Sequence, residues 1–280
     1  MISRSYQALI VGMLTTLLTM TVQAAPRDDF PSCYGQLGGN APQLEAPQRG
    51  LFVIIDETVD ANQQIRKSVL EKALHFIGPG DELNVIRFAA YTGDHYTQLM
   101  LKGRIDPRLD DSQRYSISKR ALGSFDNCFN KQAGYVKAHL VQAINSSFGD
   151  GKTEIPKTEL IGNLSSLSML VKESNAKEKV VLLFSDMLEN SDITTFYRSG
   201  NVRNIKPQHE LARLDASGLA GNWGGASVYV VGAGLIAKNA NAYRSEQTMN
   251  GLKDFWSAYC KRSNAILAGW GAPMLLVDLP

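Results

Sequence analysis

The stretch Leu51-Phe52-Val53-Ile54-Ile55-Asp56-Glu57-Thr58-Val59-Asp60 decides how the chain is read. An unbroken apolar run from Leu51 to Ile55 suits a strand buried on both faces of a parallel sheet, because a half-solvated strand would alternate. The run stops at Asp56 and gives way to acidic and hydroxyl side chains. Val180-Val181-Leu182-Leu183-Phe184 follows the same plan and stops at Ser185-Asp186.

Working outward, Ile65, Val69, Ala73, Phe76 and Ile77 recur at near-helical spacing, and Gly78-Pro79-Gly80 ends that helix. Leu83 to Tyr91 and Tyr96 to Lys102 read as strands. Only Thr92 to His95 separates them, so they should pair antiparallel. Residues 103–129 read as polar and irregular, followed by a helix over 131–148 carrying Val136, Leu140, Ile144 and Phe148. After a loop over 149–157, Thr158 precedes a helix with Leu160, Leu164, Leu167 and Val171 on one stripe. Residues 187–204 form a polar connection. A helix over 207–217, a strand from Ser227 to Val231, a helix over Leu252–Cys260 and a last strand from Met274 to Val277 complete the chain. Strands alternating with helices define an α/β class: a doubly wound, mainly parallel sheet with one antiparallel edge strand. Ligands of such sheets bind outside the carboxyl ends of the strands, where the strand order reverses.

The ends of the chain read differently. Arg4, the mostly apolar run from Ala8 to Val22 and Val22-Gln23-Ala24 fit a signal peptide over 1–24, cleaved between Ala24 and Ala25. The run is shorter than the ~18–20 residues a spanning helix needs, and no later stretch reaches that length. The mature chain is therefore expected in the periplasm or outside the cell. Residues 25–49, rich in Pro, Gly, Asn and Gln, read as an extended arm or wrapping loop, leaving 50–280 as one α/β domain. A net charge of +2 with both signs scattered offers no basic stripe for nucleic acid. Export permits a disulfide among Cys33, Cys128 and Cys260. Cys260 shares an apolar helix face with Leu252, Phe255, Trp256 and Tyr259, where cysteine acts as a small hydrophobe. That favours Cys33–Cys128 as the bridge, both residues being expected in irregular segments.

Parallel strands would bring Asp56, Glu57, Thr58, Asp60, Thr158 and Asp186 to one edge of the sheet. This is a set of hard oxygen ligands without histidine or cysteine, suited to Mg²⁺, Mn²⁺ or Ca²⁺. Asp56-x-Thr58-x-Asp60, then Thr158 before a helix, then Ser185-Asp186 after an apolar strand, resembles the metal-ion-dependent adhesion site of von Willebrand factor A domains. That family's pattern is Asp-x-Ser-x-Ser, then Thr, then Asp. The resemblance covers nearly the whole mature chain and implies Asp56 and Thr58 as first-motif ligands, Thr158 as the second and Asp186 as the third. It also implies a protein partner whose carboxylate completes the metal shell. Asp60 departs from the pattern by standing where the family has serine, and an extra carboxylate would lower the positive charge offered to an acidic partner. Phe255-Trp256-x-x-Tyr259 and Ser185-Asp186-Met187-Leu188-Glu189-Asn190 are similar to stretches of bacterial proteins of this class. The plain alternative is structural: aspartates end strands as turn residues, and Thr158 caps a helix.

Asp56-x-Thr58 after a strand is also similar to the nucleophile motif of haloacid-dehalogenase-like phosphatases. There Asp56 would attack phosphorus, Thr158 would bind phosphate and Asp186 would hold Mg²⁺. However, Thr58 stands where most of those enzymes carry the acid/base aspartate. Gly232-Ala233-Gly234 with Ala237 matches a dinucleotide fingerprint, but no acidic residue ends a strand about twenty residues on, so a turn is expected. His75, His95, His139 and His209 show no ligand-pair spacing, and no Gly-x-Ser-x-Gly elbow is present. Trp223, among Gly221, Gly224 and Gly225, would anchor either a partner or its own loop. Three functions follow from this reading: a protein-binding module without enzymatic activity, a Mg²⁺-dependent phosphatase, or a metal-free part of an envelope assembly with the arm as contact.

Overall fold

The computed structural model describes residues 27–90, 95–149, 159–198, 201–235 and 245–280. The expected signal peptide, Ala25, Thr158 and Ala237 lie outside the described residues. In chain order the elements are β1 (Arg49–Asp56), α1 (Gln63–Phe76), β2 (Glu82–Ala90), β3 (His95–Arg104), α2 (Asp111–Tyr115) and α3 (Lys119–Ser147). They continue with α4 (Leu160–Glu173), β4 (Glu178–Phe184), a small hairpin β5 (Tyr197–Arg198) and β6 (Asn201–Val202), and α5 (Pro207–Ser217). β7 (Ala226–Val231), α6 (Glu246–Arg262) and β8 (Ala265–Trp270) close the domain.

Six strands form one sheet in the order β3-β2-β1-β4-β7-β8. β1 pairs in parallel with both β2 and β4, β4 with β7, and β7 with β8. β2 and β3 pair antiparallel. This is the doubly wound α/β sheet with one reversed edge strand that the alternation of elements predicts. The apolar runs are continuous because neighbouring residues serve opposite faces. Phe52, Ile54, Val181 and Leu183 enter the core shared with α4, α5 and α6. Leu51, Val53, Ile55, Val180 and Leu182 enter the core shared with α1 and α3. The strand order reverses between β1 and β4, so their carboxyl ends flank the crevice where a ligand of this fold sits.

Two expected elements are corrected. The helix predicted over 131–148 begins at Lys119, so Cys128 is helical rather than in an irregular segment. Ser118 caps it by accepting from the Ala121 N–H at 3.3 Å. Its added turns carry a second apolar stripe, Ala121, Leu122, Phe125 and Phe129, that packs on Tyr34 and Leu37 rather than on the sheet. The last strand is Ala265–Trp270, not Met274–Val277. The earlier segment takes the pairing edge of β7, and the tail lies over the sheet instead, with Leu275 buried and Leu276 91% exposed.

Residues 27–48 pack on the domain. The Asp29 N–H donates to the Lys102 carbonyl at 2.8 Å, the Arg27 guanidinium to the Leu99 carbonyl at 2.9 Å, and the Lys102 N–H to Asp29 Oδ2 at 3.0 Å. The outer edge of β3 is thereby covered, which removes a template for intermolecular strand pairing. Phe30 is buried over Gly103, where a Cβ would stand 2.4 Å from the ring. The Cys33–Cys128 disulfide joins this segment to α3 across 95 residues, as the sequence favours, and Cys260 is a buried free thiol. Closing a loop of that length removes about 4–5 kcal/mol of unfolded-chain entropy in the polymer account.

Candidate functional site

Asp56 is the last residue of β1, and its carboxylate is fully buried. Two elements supply its partners. From the turn after β1, the Thr58 hydroxyl and N–H donate to Oδ1 at 2.5 and 3.1 Å. From the residue after β4, the Ser185 hydroxyl donates to Oδ2 at 3.0 Å. The carboxyl ends of the two strands beside the crevice are therefore joined through one carboxylate. Burial pushes Asp56 up to about 6, against the opposing pull of the Thr58 and Ser185 donors, and the neighbouring Glu57 carboxylate adds to the rise.

The turn carrying Thr58 is fixed from below. The Glu57 N–H donates to the Phe88 carbonyl at 3.0 Å, and the Glu57 carboxylate pairs with Arg87 at 3.1 Å. Arg87 also donates to Gln98 at 2.5 Å and to the Ser146 carbonyl at 3.3 Å. Arg66 donates to the carbonyls of Ala61 and Gly149 at 2.8 and 2.9 Å. Gly149 is required there, because a Cβ would lie 2.0 Å from the Glu57 carbonyl oxygen.

The turn carrying Asp186 is held as firmly. Asp186 Oδ1 accepts from the Leu188 N–H at 2.9 Å, and its carbonyl accepts from the Gly234 N–H at 2.7 Å. Met187 sits at φ 61°, a region costly for a residue with a Cβ, while its side chain is buried and its carbonyl accepts from Trp256 Nε1 at 2.8 Å. Glu189 is fully buried, and its Oε2 accepts from the Ile161 N–H at 2.7 Å in the first turn of α4. Burial pushes Glu189 up to about 7, opposed by Ser191 and the amides of Ile161 and Leu160, and reinforced by Glu159.

Of the residues expected to act together, Asp56 and Thr58 are in direct contact, Asp186 is half-buried beside Ser185, and Asp60 is exposed. Among the described residues, no three His, Cys, Asp or Glu side chains gather as a metal-binding group. A cation here would rest on one deep carboxylate and hydroxyls rather than on a cage of acids. That donor set is chemically suitable. Each hydroxyl gives its proton to Asp56, which enriches its oxygen, and all donors are hard. The sequence reading missed Ser185 as a partner of Asp56, although Ser185-Asp186 was in view. It also missed Glu189 and Met187, since neither long-range capping nor a positive φ leaves a local mark.

No family model matches the chain, and no curated protein matches it. Among solved structures, the chain is similar to an aerotolerance-related membrane protein from Bacteroides fragilis NCTC 9343 with multiple mutations to serines. The identity is 13% and the TM-score 0.33, over 78% of this chain and 89% of that one. An overlap of that size bears on neither the site nor its partner.

Proposed function

We propose that this chain is a protein-binding module of the von Willebrand factor A type that acts outside the cytoplasm. Its contact face is the carboxyl edge of the sheet around Asp56, Thr58, Ser185 and Asp186, with Mg²⁺ or Mn²⁺ held there. Asp60 lies on the exposed rim, and Thr158 would complete the set from the segment before α4. The observation that carries the reading is the buried Asp56 carboxylate, clasped by hydroxyls that follow the carboxyl ends of β1 and β4, where the strand order reverses. A bound cation would neutralise that carboxylate and offer a coordination position to a partner's acidic side chain.

The same burial weighs against a phosphatase. A nucleophilic aspartate must be an uncrowded carboxylate, whereas both oxygens of Asp56 accept hydrogen bonds in the core. The docked segment 27–48 likewise argues against the arm as the contact. The disulfide supports export, and no helix among the described residues is long and apolar enough to cross a membrane.

Thermal unfolding with and without Mn²⁺ tests the cation. At a hundredfold excess over Kd, binding should stabilise the fold by about 2.7 kcal/mol, and Asp186→Ala should remove that gain. Absence of any shift at millimolar ion would refute the metal site. Capture from an envelope extract with and without chelator then tests whether the face takes a protein.

A further inference from the structure

We propose that Glu189 is the positioning residue of this site: it fastens the loop that carries Ser185 and Asp186 to the start of α4. The proposal rests on the cation-site reading above.

The helix itself supplies the first argument. Residue Glu159 occupies the N-cap position of α4, but its side chain makes no capping hydrogen bond. An N-cap side chain ordinarily accepts from the second or third N–H of the helix. Here the second, that of Ile161, is taken by Glu189 from 28 residues away. A buried carboxylate also suits the positive end of a helix. The cap of α4 is thus delivered by the loop after β4, so the two elements share one fastening.

The second argument is the path from Glu189 to the site. Leu188, its neighbour, donates its N–H to Asp186 Oδ1 at 2.9 Å, and Met187 is held at φ 61°. On the other side, the Glu189 carbonyl accepts from the Phe196 N–H at 2.8 Å, and Asn190 bridges to Thr195, which closes the loop on itself. The side chain of Glu189 therefore links this closed loop to the first turn of α4. Among the described residues Glu189 Oε1 has no hydrogen-bond partner, and it is Oε2 that takes the Ile161 N–H.

The experiment compares Glu189→Gln, Glu189→Ala and Glu189→Asp with the full mature chain. Gln keeps an acceptor at the same reach, Ala removes it, and Asp shortens it by one methylene. Hydrogen exchange without metal reads the fastening alone: the Ile161 amide and the 187–196 loop should exchange faster in Ala and Asp and as wild type in Gln. Calorimetric titration with Mn²⁺ reads the site. Ala and Asp should lose roughly 10- to 100-fold in affinity, the usual effect of removing a group that orients a ligand, and Gln should restore it. If Ala does not fold, Asp and Gln carry the comparison. Unchanged exchange at Ile161 in folded Ala or Asp would overturn the fastening. Faster exchange with undiminished Mn²⁺ affinity would overturn the positioning role. A wild type that binds no Mn²⁺ would refute the cation reading and with it the positioning role, while exchange still judges the cap.

Discussion

Replacing Asp56 with Asn should stabilise the metal-free protein at pH 8 and destabilise it at pH 4. Asp56 ordinarily would ionise near 3.8, and in the fold it is pushed up to about 6 by burial. An acid raised on folding binds its proton more tightly in the native state, so native stability falls as pH climbs through this window. At about 1.4 kcal/mol per pH unit, the ionised carboxylate costs the fold about 3 kcal/mol above pH 6. Asparagine carries no such cost. Its Oδ1 still accepts from Thr58, but its Nδ2 must face Ser185 Oγ, which already accepts from the Met187 N–H at 3.1 Å. Turning that hydroxyl round loses about one hydrogen bond, or about 1 kcal/mol. The net expectation is a gain of about 2 kcal/mol at pH 8 and a loss of about 1 kcal/mol at pH 4. For a domain of this size, the pH 8 gain is roughly 4–8 °C in Tm. Urea unfolding in EDTA across pH 4–8 measures the difference between the two proteins directly. A difference that stays constant over this range would refute the account, because it would mean that Asp56 does not carry a buried charge in the native fold.

Two further outcomes follow from the packing. Gly149→Ala drives a methyl group against the Glu57 carbonyl oxygen, with 2.0 Å where contact needs more than 3 Å, and should cost about 1–3 kcal/mol. Mn²⁺ affinity should fall with it, since the displaced strand of backbone carries Thr58; titration and thermal unfolding read the two effects. Leu275→Ala should cost about 2–5 kcal/mol by opening a cavity under the tail, whereas Leu276→Ala should stay within about 0.5 kcal/mol. Equal losses from the two in chemical denaturation would contradict the placement of the tail over the sheet.

The parts of the fold that the sequence disclosed are those where burial is two-sided. Leu51–Ile55 and Val180–Phe184 suit strands buried on both faces of a parallel sheet, and the β2–β3 turn is too short for a crossover. What escaped is explained by packing onto secondary surfaces. The first three turns of α3 bury Phe125 against Tyr34 and Leu37, a cluster that exists only because residues 30–40 fold back on the domain. Ala265–Trp270 mixes Ala and Gly with larger residues, so its pattern is weaker than that of Met274–Val277. Only its pairing with β7 settles which segment is the strand. At the site, Asp56 and Thr58 are two residues apart and their contact was legible. Ser185 on Asp56 and Glu189 on Ile161 are tertiary contacts across 129 and 28 residues.

Three aspartates are buried among the described residues, and comparing them shows how the surroundings of Asp56 differ from those of the other two. Asp81 answers its burial with the Arg49 guanidinium at 2.6 Å, so the fold supplies its counter-charge. Asp106 accepts from Ser32 Oγ, the Cys33 N–H and Gln132 Nε2, and it ties the disulfide-linked segment to α3. Neutral donors alone can therefore house a carboxylate, and three of them around Asp56 prove nothing by number. The difference is the kind and place of the donors. Two of the three groups around Asp106 are N–H donors, which have no lone pair to offer a cation. Two of the three on Asp56 are hydroxyls, which give a proton to the carboxylate and keep lone pairs for another ligand. Asp106 lies beneath a packed segment, whereas Asp56 stands at the strand reversal, between two turns held fast by Gly149 and Arg87 on one side and by Trp256 and Glu189 on the other. Among the groups that grip Asp56 there is no cationic side chain, so under the proposed reading the charge it carries above pH 6 is what a bound cation would offset.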